Sequence, residues 1–131
     1  MTIEPSYITF EQAKLLKELG FDVPTQCAFD ENGKDFIDEH WSIDYNDASV
    51  YHCYSKPQQW QVVEWLRVVK GIYVCWTPTF NPKKFQFRLY RNDNGTMTQI
   101  YNTFMGKNFS CPQKAYSAAF DHILPKLKKE R

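Results

Sequence analysis

Residues 55–71 constrain the fold of this chain more than any other stretch, because they specify a helix start, a buried face and a stop. Ser55 and Gln58 stand at capping-box spacing, in which a hydroxyl and an amide each satisfy an orphan backbone N–H. Pro57 suits the first turn, where no N–H is needed. At about 100° per residue, Val62, Trp65, Leu66 and Val69 share one stripe, and Gly71 suits the left-handed residue that ends a helix. A core helix over 56–70 is the expectation.

The remaining elements are placed around it. Thr9 and Gln12 repeat the capping-box spacing, Leu15, Leu16 and Leu19 give an apolar face, and Gly20-Phe21 matches a Schellman stop, so a helix is expected over 9–20. Asn32-Gly33 is a strong hairpin signal, predicting strands within about 26–45. Residues 50–54 are either a short strand or the approach to the central helix. Ile72, Val74 and Trp76 alternate with polar neighbours, as do Phe85, Phe87 and Leu89, and residues 92–95 form a turn, so a three-stranded meander is expected over 72–104. Ser110 to Gln113 repeats the helix start of residues 55–58. Ala115, Tyr116, Ala119, Phe120, Ile123 and Leu127 then share a stripe, predicting a helix over 111–124 that Pro125 ends or kinks, with a frayed basic tail over 125–131. The fold class read from this order is α+β: a single domain, with an antiparallel sheet of hairpin plus three-stranded meander and two or three helices packed on one face.

The overall charge of +1 conceals a division. Residues 1–54 hold eleven Asp/Glu against three Lys, a balance of −8, whereas residues 55–131 hold thirteen Lys/Arg against four acids, a balance of +9. Such asymmetry fits a basic face for an anionic partner, an acidic face that mimics one, or two halves that attract each other. No window approaches the roughly 18–20 apolar residues of a membrane span, and no basic segment followed by an apolar run opens the chain, so a cytoplasmic, soluble protein is expected. Four separated cysteines with no C-x-x-C pair read as reduced, mostly buried thiols.

Three stretches carry a family resemblance: Ile8-Thr-Phe-Glu-Gln-Ala-Lys-Leu-Leu-Lys-Glu-Leu-Gly-Phe21, Pro57-Gln-Gln-Trp-Gln-Val-Val-Glu-Trp-Leu-Arg67 and Tyr116-Ser-Ala-Ala-Phe-Asp-His-Ile-Leu124. In these the chain resembles small uncharacterised proteins of gut Bacteroides-type bacteria and their phages. It departs from them after the central helix, where Val68-Val-Lys-Gly71 replaces their Lys/Arg-Glu-Lys-His-Asn run. The resemblance implies a mobile-element origin and a cytoplasmic setting, and brings no catalytic residues. In topology alone, residues 55–131 are similar to double-stranded-RNA-binding domains, with Lys107 and Lys114 flanking the last helix start but Cys111-Pro112 in place of that family's Lys-Lys pair.

Candidate chemistry is weighed on residue type and spacing. His40, His52, Cys53 and Cys27 with Asp38 and Glu39 lack the closely paired ligands of a zinc site, so no metal or other cofactor is expected. A small enzyme centred on His40, His52 and Cys53 is a further alternative, without a nucleophile elbow or phosphate loop around it. Lys83, Lys84, Arg88, Tyr90, Arg91 and Lys107 combine cations with an aromatic ring, the composition of a nucleic-acid-binding sheet face. Trp60, Glu64 and Arg67 lie off the central helix's buried stripe, with Arg67 placed to stack on Trp60, the composition of a protein-binding hot spot. The leading expectation is a non-enzymatic binding protein whose partner is a host or phage protein. The first alternative is a nucleic-acid-binding module.

Overall fold

In the computed structural model, which describes residues 4–37, 42–47, 52–79, 84–102 and 107–130, Thr9 caps helix α1 (Phe10–Glu18) as its spacing predicts. The Thr9 hydroxyl accepts the Gln12 N–H at 3.2 Å, and the Gln12 amide oxygen accepts the Thr9 N–H at 3.0 Å. The exit is a full Schellman motif: Phe21 N–H donates to Leu16 O, Gly20 N–H donates to Lys17 O, and Gly20 has φ +92°. Phe21 and Leu16 are both buried, and Gln12 and Ala13 complete the inner face.

The class is α+β, with two antiparallel three-stranded sheets and three helices among the described residues. The chain divides into two compact units, residues 1–61 with 123–131 and residues 62–122, the divisions falling inside α2 and α3. The hairpin and the meander, expected to contribute to one sheet, belong to separate sheets.

In the first unit, β1 (Cys27–Asp30) lies between β2 (Asp35–Ile37) and β3 (Cys53–Ser55), so the uncertain stretch before the central helix resolves as a strand. The turn is a three-residue loop rather than a two-residue one: Asp30 N–H donates to Lys34 O, the Asp30 carboxylate accepts the N–H groups of Asn32 and Lys34, and Gly33 has φ +84°. The return strand is confined to 35–37 with a further bridge between Thr25 and Ile43; its expected continuation through 38–41 lies outside the described residues. Phe10 of α1 packs on Phe29 and Tyr54, cross-strand partners on one sheet face, with ring centroids 5.4 and 5.5 Å away. Lys17 Nζ donates to Cys53 O at 2.9 Å and secures the same contact. A Cβ on Gly33 would stand 2.9 Å from the Phe10 ring, in a backbone conformation that L side chains avoid. Gly33→Ala is therefore expected to cost about 1–3 kcal/mol, read as a lower urea midpoint at unchanged slope.

The central helix departs from its expected 56–70 at both ends. Ser55 is not a cap: it is buried in β3, where its hydroxyl accepts the Tyr45 N–H at 3.1 Å and its own N–H donates to Asn46 Oδ1 at 3.0 Å. Helix α2 (Gln59–Trp65) starts instead behind Gln58, whose N–H donates to the Gln61 side chain at 2.9 Å. Beyond Trp65 the helix widens to π-helical geometry over Leu66–Lys70 and ends on Gly71 at φ +66°. Val62, Trp65 and Leu66 are buried as expected, but the wider turn moves the stripe's phase and leaves Val69 56% exposed.

The second unit holds the sheet β4 (Ile72–Pro78), β5 (Phe85–Asp93) and β6 (Thr96–Asn102) in that order. Asn94 and Gly95 both have positive φ between the paired Asp93 and Thr96, a two-residue turn of the I′ kind. Ile100 has no opposite number where the register steps from Leu89↔Tyr101 to Tyr90↔Gln99, a bulge in β6. Ile72, Val74, Phe87 and Leu89 are buried on one face, whereas Trp76, expected inward with them, is 38% exposed.

Helix α3 runs over Pro112–Lys129, so residues 125–129 are helical rather than a frayed tail and Pro125 does not end the helix. Proline removes one backbone bond. Against that, Leu127 is buried, Lys128 pairs with Glu18 at 2.8 Å, and Lys126, Lys128 and Lys129 suit the negative end of the helix dipole. No helix among the described residues is long and apolar enough to cross a membrane.

Candidate nucleic-acid interface

The two faces of the second unit's sheet differ in character because successive side chains of β4 and β5 point to opposite sides. The face bearing Val74, Phe87, Leu89 and Tyr101 is covered by α3, whose His122 ring stacks on Tyr101 with centroids 3.7 Å apart. The opposite face carries three cross-strand rows, Tyr73↔Tyr90, Cys75↔Arg88 and Thr77↔Gln86, which β6 extends with Gln99 beside Tyr90 and Asn102 beside Arg88; its Thr77↔Gln86 end is covered, since Gln86 is buried and its amide N–H donates to Asn108 Oδ1 at 3.1 Å. Cys75 and Gln99 are exposed there, and Tyr73, Arg88 and Tyr90 are half-exposed; of the four cysteines, expected to be mostly buried, only Cys27 is. Lys84, just before β5, shares this parity and is exposed.

Lys84 and Arg88 make no ion pair among the described residues, whereas Arg67 is already engaged. Its guanidinium forks onto Glu64 at 2.8 and 3.3 Å, an i,i+3 pair on the helix surface. The hydrogen bond from Arg67 holds the Glu64 carboxyl below its ordinary value, and the same bond holds the guanidinium above its own. The second unit holds eight Lys/Arg against three Asp/Glu, a balance of +5; the rest of the chain carries −4. In the first unit the acids are partly answered locally, by Lys56 on Asp35 at 3.0 Å and Lys128 on Glu18.

Desolvation pushes the Cys75 thiol above its ordinary value, and the positive charge of Arg88 opposes this with a smaller effect. A raised pKa leaves less thiolate at any given pH. Alkylation of Cys75 by iodoacetamide, followed by mass spectrometry, is therefore expected to be slower at pH 8 than that of an unstructured cysteine peptide, and to accelerate above the peptide's own titration. Arg88→Gln should slow it further; an unchanged rate would mean that the guanidinium does not act on the sulfur.

The residues singled out by sequence separate into several places. Lys84, Arg88 and Tyr90 come together as expected. Arg91 lies in register with Ile72 on the helix-covered face, and Lys107 borders a cavity on that face, so neither joins them. Lys83 lies outside the described residues, as do His40, Asp38 and Glu39. Trp60 is 61% exposed, its indole N–H donated to Gln58 at 2.8 Å. His52 is exposed at φ +57°, its Nδ1 3.4 Å from Glu31, and among the described residues no cluster of three or more His, Cys, Asp or Glu is placed to hold a metal ion. Tyr73, Cys75, Gln99 and Asn102 are the residues of this face that sequence reasoning passed over. The alternation of residues 72–77 contains the signal for two of them, since whatever lies between Ile72, Val74 and Trp76 must face the other way.

Comparison with known protein families, with curated proteins and with solved structures finds no match for this chain.

Proposed function

We propose that the protein binds single-stranded nucleic acid on the open face of the β4–β5–β6 sheet. The observation that carries this reading is Arg88, a cation with no ion pair among the described residues, set on the open part of the sheet face next to the Tyr73–Tyr90 pair. Cations on such a face meet phosphates and tyrosine rings take stacked bases, a combination that reads strand rather than sequence. Lys84 extends the positive track along β5, while Gln99 and Asn102 supply polar contacts at its side. The reading is tested by fluorescence anisotropy with labelled single-stranded RNA, single-stranded DNA and both duplexes across a salt series. Two phosphate contacts predict a logarithmic salt slope of about −1.4 on single strands. Equal or tighter binding of duplexes, or no binding at low salt, would overturn it.

A second reading rests on Trp60, a large aromatic that is 61% exposed. It makes this residue an anchor for a host or phage protein, in keeping with the prevalence of tryptophan in interface hot spots. A photo-crosslinking residue at position 60 should then yield one discrete adduct in host or phage-infected lysate, and none from position 113 as a control.

A further inference from the structure

On the helix-covered side of the second unit's sheet lies a cavity of about 330 Å3. Its walls are aromatic: Phe87 and Tyr101 stack with centroids 5.5 Å apart and planes 27° from parallel, Phe109 lies 6.1 Å from Phe87 at 35°, and His122 stacks on Tyr101 at 24°. Near-parallel rings at these spacings favour a flat aromatic guest that continues the stack. Lys107 lines the same cavity and makes no ion pair or hydrogen bond among the described residues. Asp121 is also in the lining. One ammonium draws one anionic group into the cavity. The volume is at the small end of ligand pockets, roughly 300–1,000 Å3, which fits one or two fused rings.

We propose that this cavity is a binding site for a small aromatic monocarboxylate, its ring stacked among Phe87, Tyr101 and Phe109 and its carboxylate paired with Lys107. The site is on the opposite sheet face from Arg88 and is independent of the nucleic-acid reading. The probe is 2-naphthoate, titrated into the full chain by calorimetry, with 2-naphthamide as its uncharged counterpart and adenosine monophosphate as a dianionic one. Saturable one-to-one binding of the carboxylate is expected, with affinity at least about tenfold lower for the amide and for the Lys107→Met variant, the loss of one charge-assisted contact. Ala118 also lines the cavity, so Ala118→Leu should fill it and abolish binding; Lys107 is exposed, and its variant keeps the test valid should the leucine variant fail to fold. The Lys84→Glu/Arg88→Glu variant should bind as the parent does. Equal affinity for carboxylate and amide, preference for the nucleotide, or binding undiminished in both cavity variants would overturn the proposal.

Discussion

Lys84→Glu combined with Arg88→Glu is expected to lower affinity for single-stranded RNA roughly 10–100-fold at low salt and to flatten the salt slope by about 1.4. Each reversal removes a cation that has no ion pair among the described residues and sets a carboxylate on the proposed phosphate track. Neither side chain is buried, so the folded state should persist, and an unchanged thermal midpoint would show that only binding is altered. A matched Lys126→Glu/Lys129→Glu variant carries the same net-charge change on the last turn of α3. If it loses as much affinity, the attraction belongs to overall charge and not to the sheet face. Tyr90→Ala separates stacking from charge: removing a stacked base is worth about 1–3 kcal/mol, and it should lower affinity without changing the slope.

Phe120→Ala is the substitution expected to cost most stability, about 3–5 kcal/mol. Phe120 is fully buried on α3, with the ring of the half-buried Tyr116 one turn back nearly parallel to it at 6.3 Å. Small residues at Ala115 and Ala119, both fully buried, let this helix approach closely and leave the phenylalanine to fill the space. A fall in the thermal midpoint of roughly 10–20 °C follows for a chain of this size. Desolvation pushes the Tyr116 phenol above its ordinary value, opposed by a hydrogen bond with Trp76. Since the folded state holds that proton more tightly, this contribution is complete below the unfolded tyrosine pKa and is lost as pH rises through the higher folded value. The variant should therefore show a shallower decline of stability at alkaline pH, provided opening the cavity rehydrates the phenol. A midpoint within 3–4 °C of the parent, about 1 kcal/mol, would mean that α3 is not a principal part of the core.

The signals that held were short in range. The Thr9 box, the Gly20-Phe21 exit and the Asn94-Gly95 turn each involve groups within five residues of one another, so side-chain chemistry and backbone preference act before any tertiary contact exists. Alternation likewise told the two faces of β5 apart, since parity is a covalent property of an extended chain. Ser55-Gln58 has the same local pattern as Thr9-Gln12 and did something else. Once β3 pairs with β1, the Ser55 hydroxyl is claimed by the Tyr45 N–H and its backbone by Asn46, partners nine and ten residues away.

Competition of that kind marks what only the tertiary structure decided. Pro125 breaks a helix in isolation, yet the burial of Leu127 and the Lys128–Glu18 pair carry α3 past it. The π-helical turn at Leu66–Lys70 shifts every later residue around the axis, which no stripe drawn at a constant angle anticipates. The candidate site divides in the same way. Lys84, Arg88 and Tyr90 were legible as one face of one strand, and the same parity puts Arg91 on the other, but Tyr73 and Cys75 join them only through the β4–β5 register, and Lys107 lines a cavity on the opposite side. The sequence by itself determined the α+β class, the helix starts with local caps and the parity of the strands, because these follow from interactions within a few residues. Only the tertiary structure decided which residues of other strands join that face and which side chains line a cavity, because both depend on distant segments competing for the same hydrogen bonds and the same buried volume.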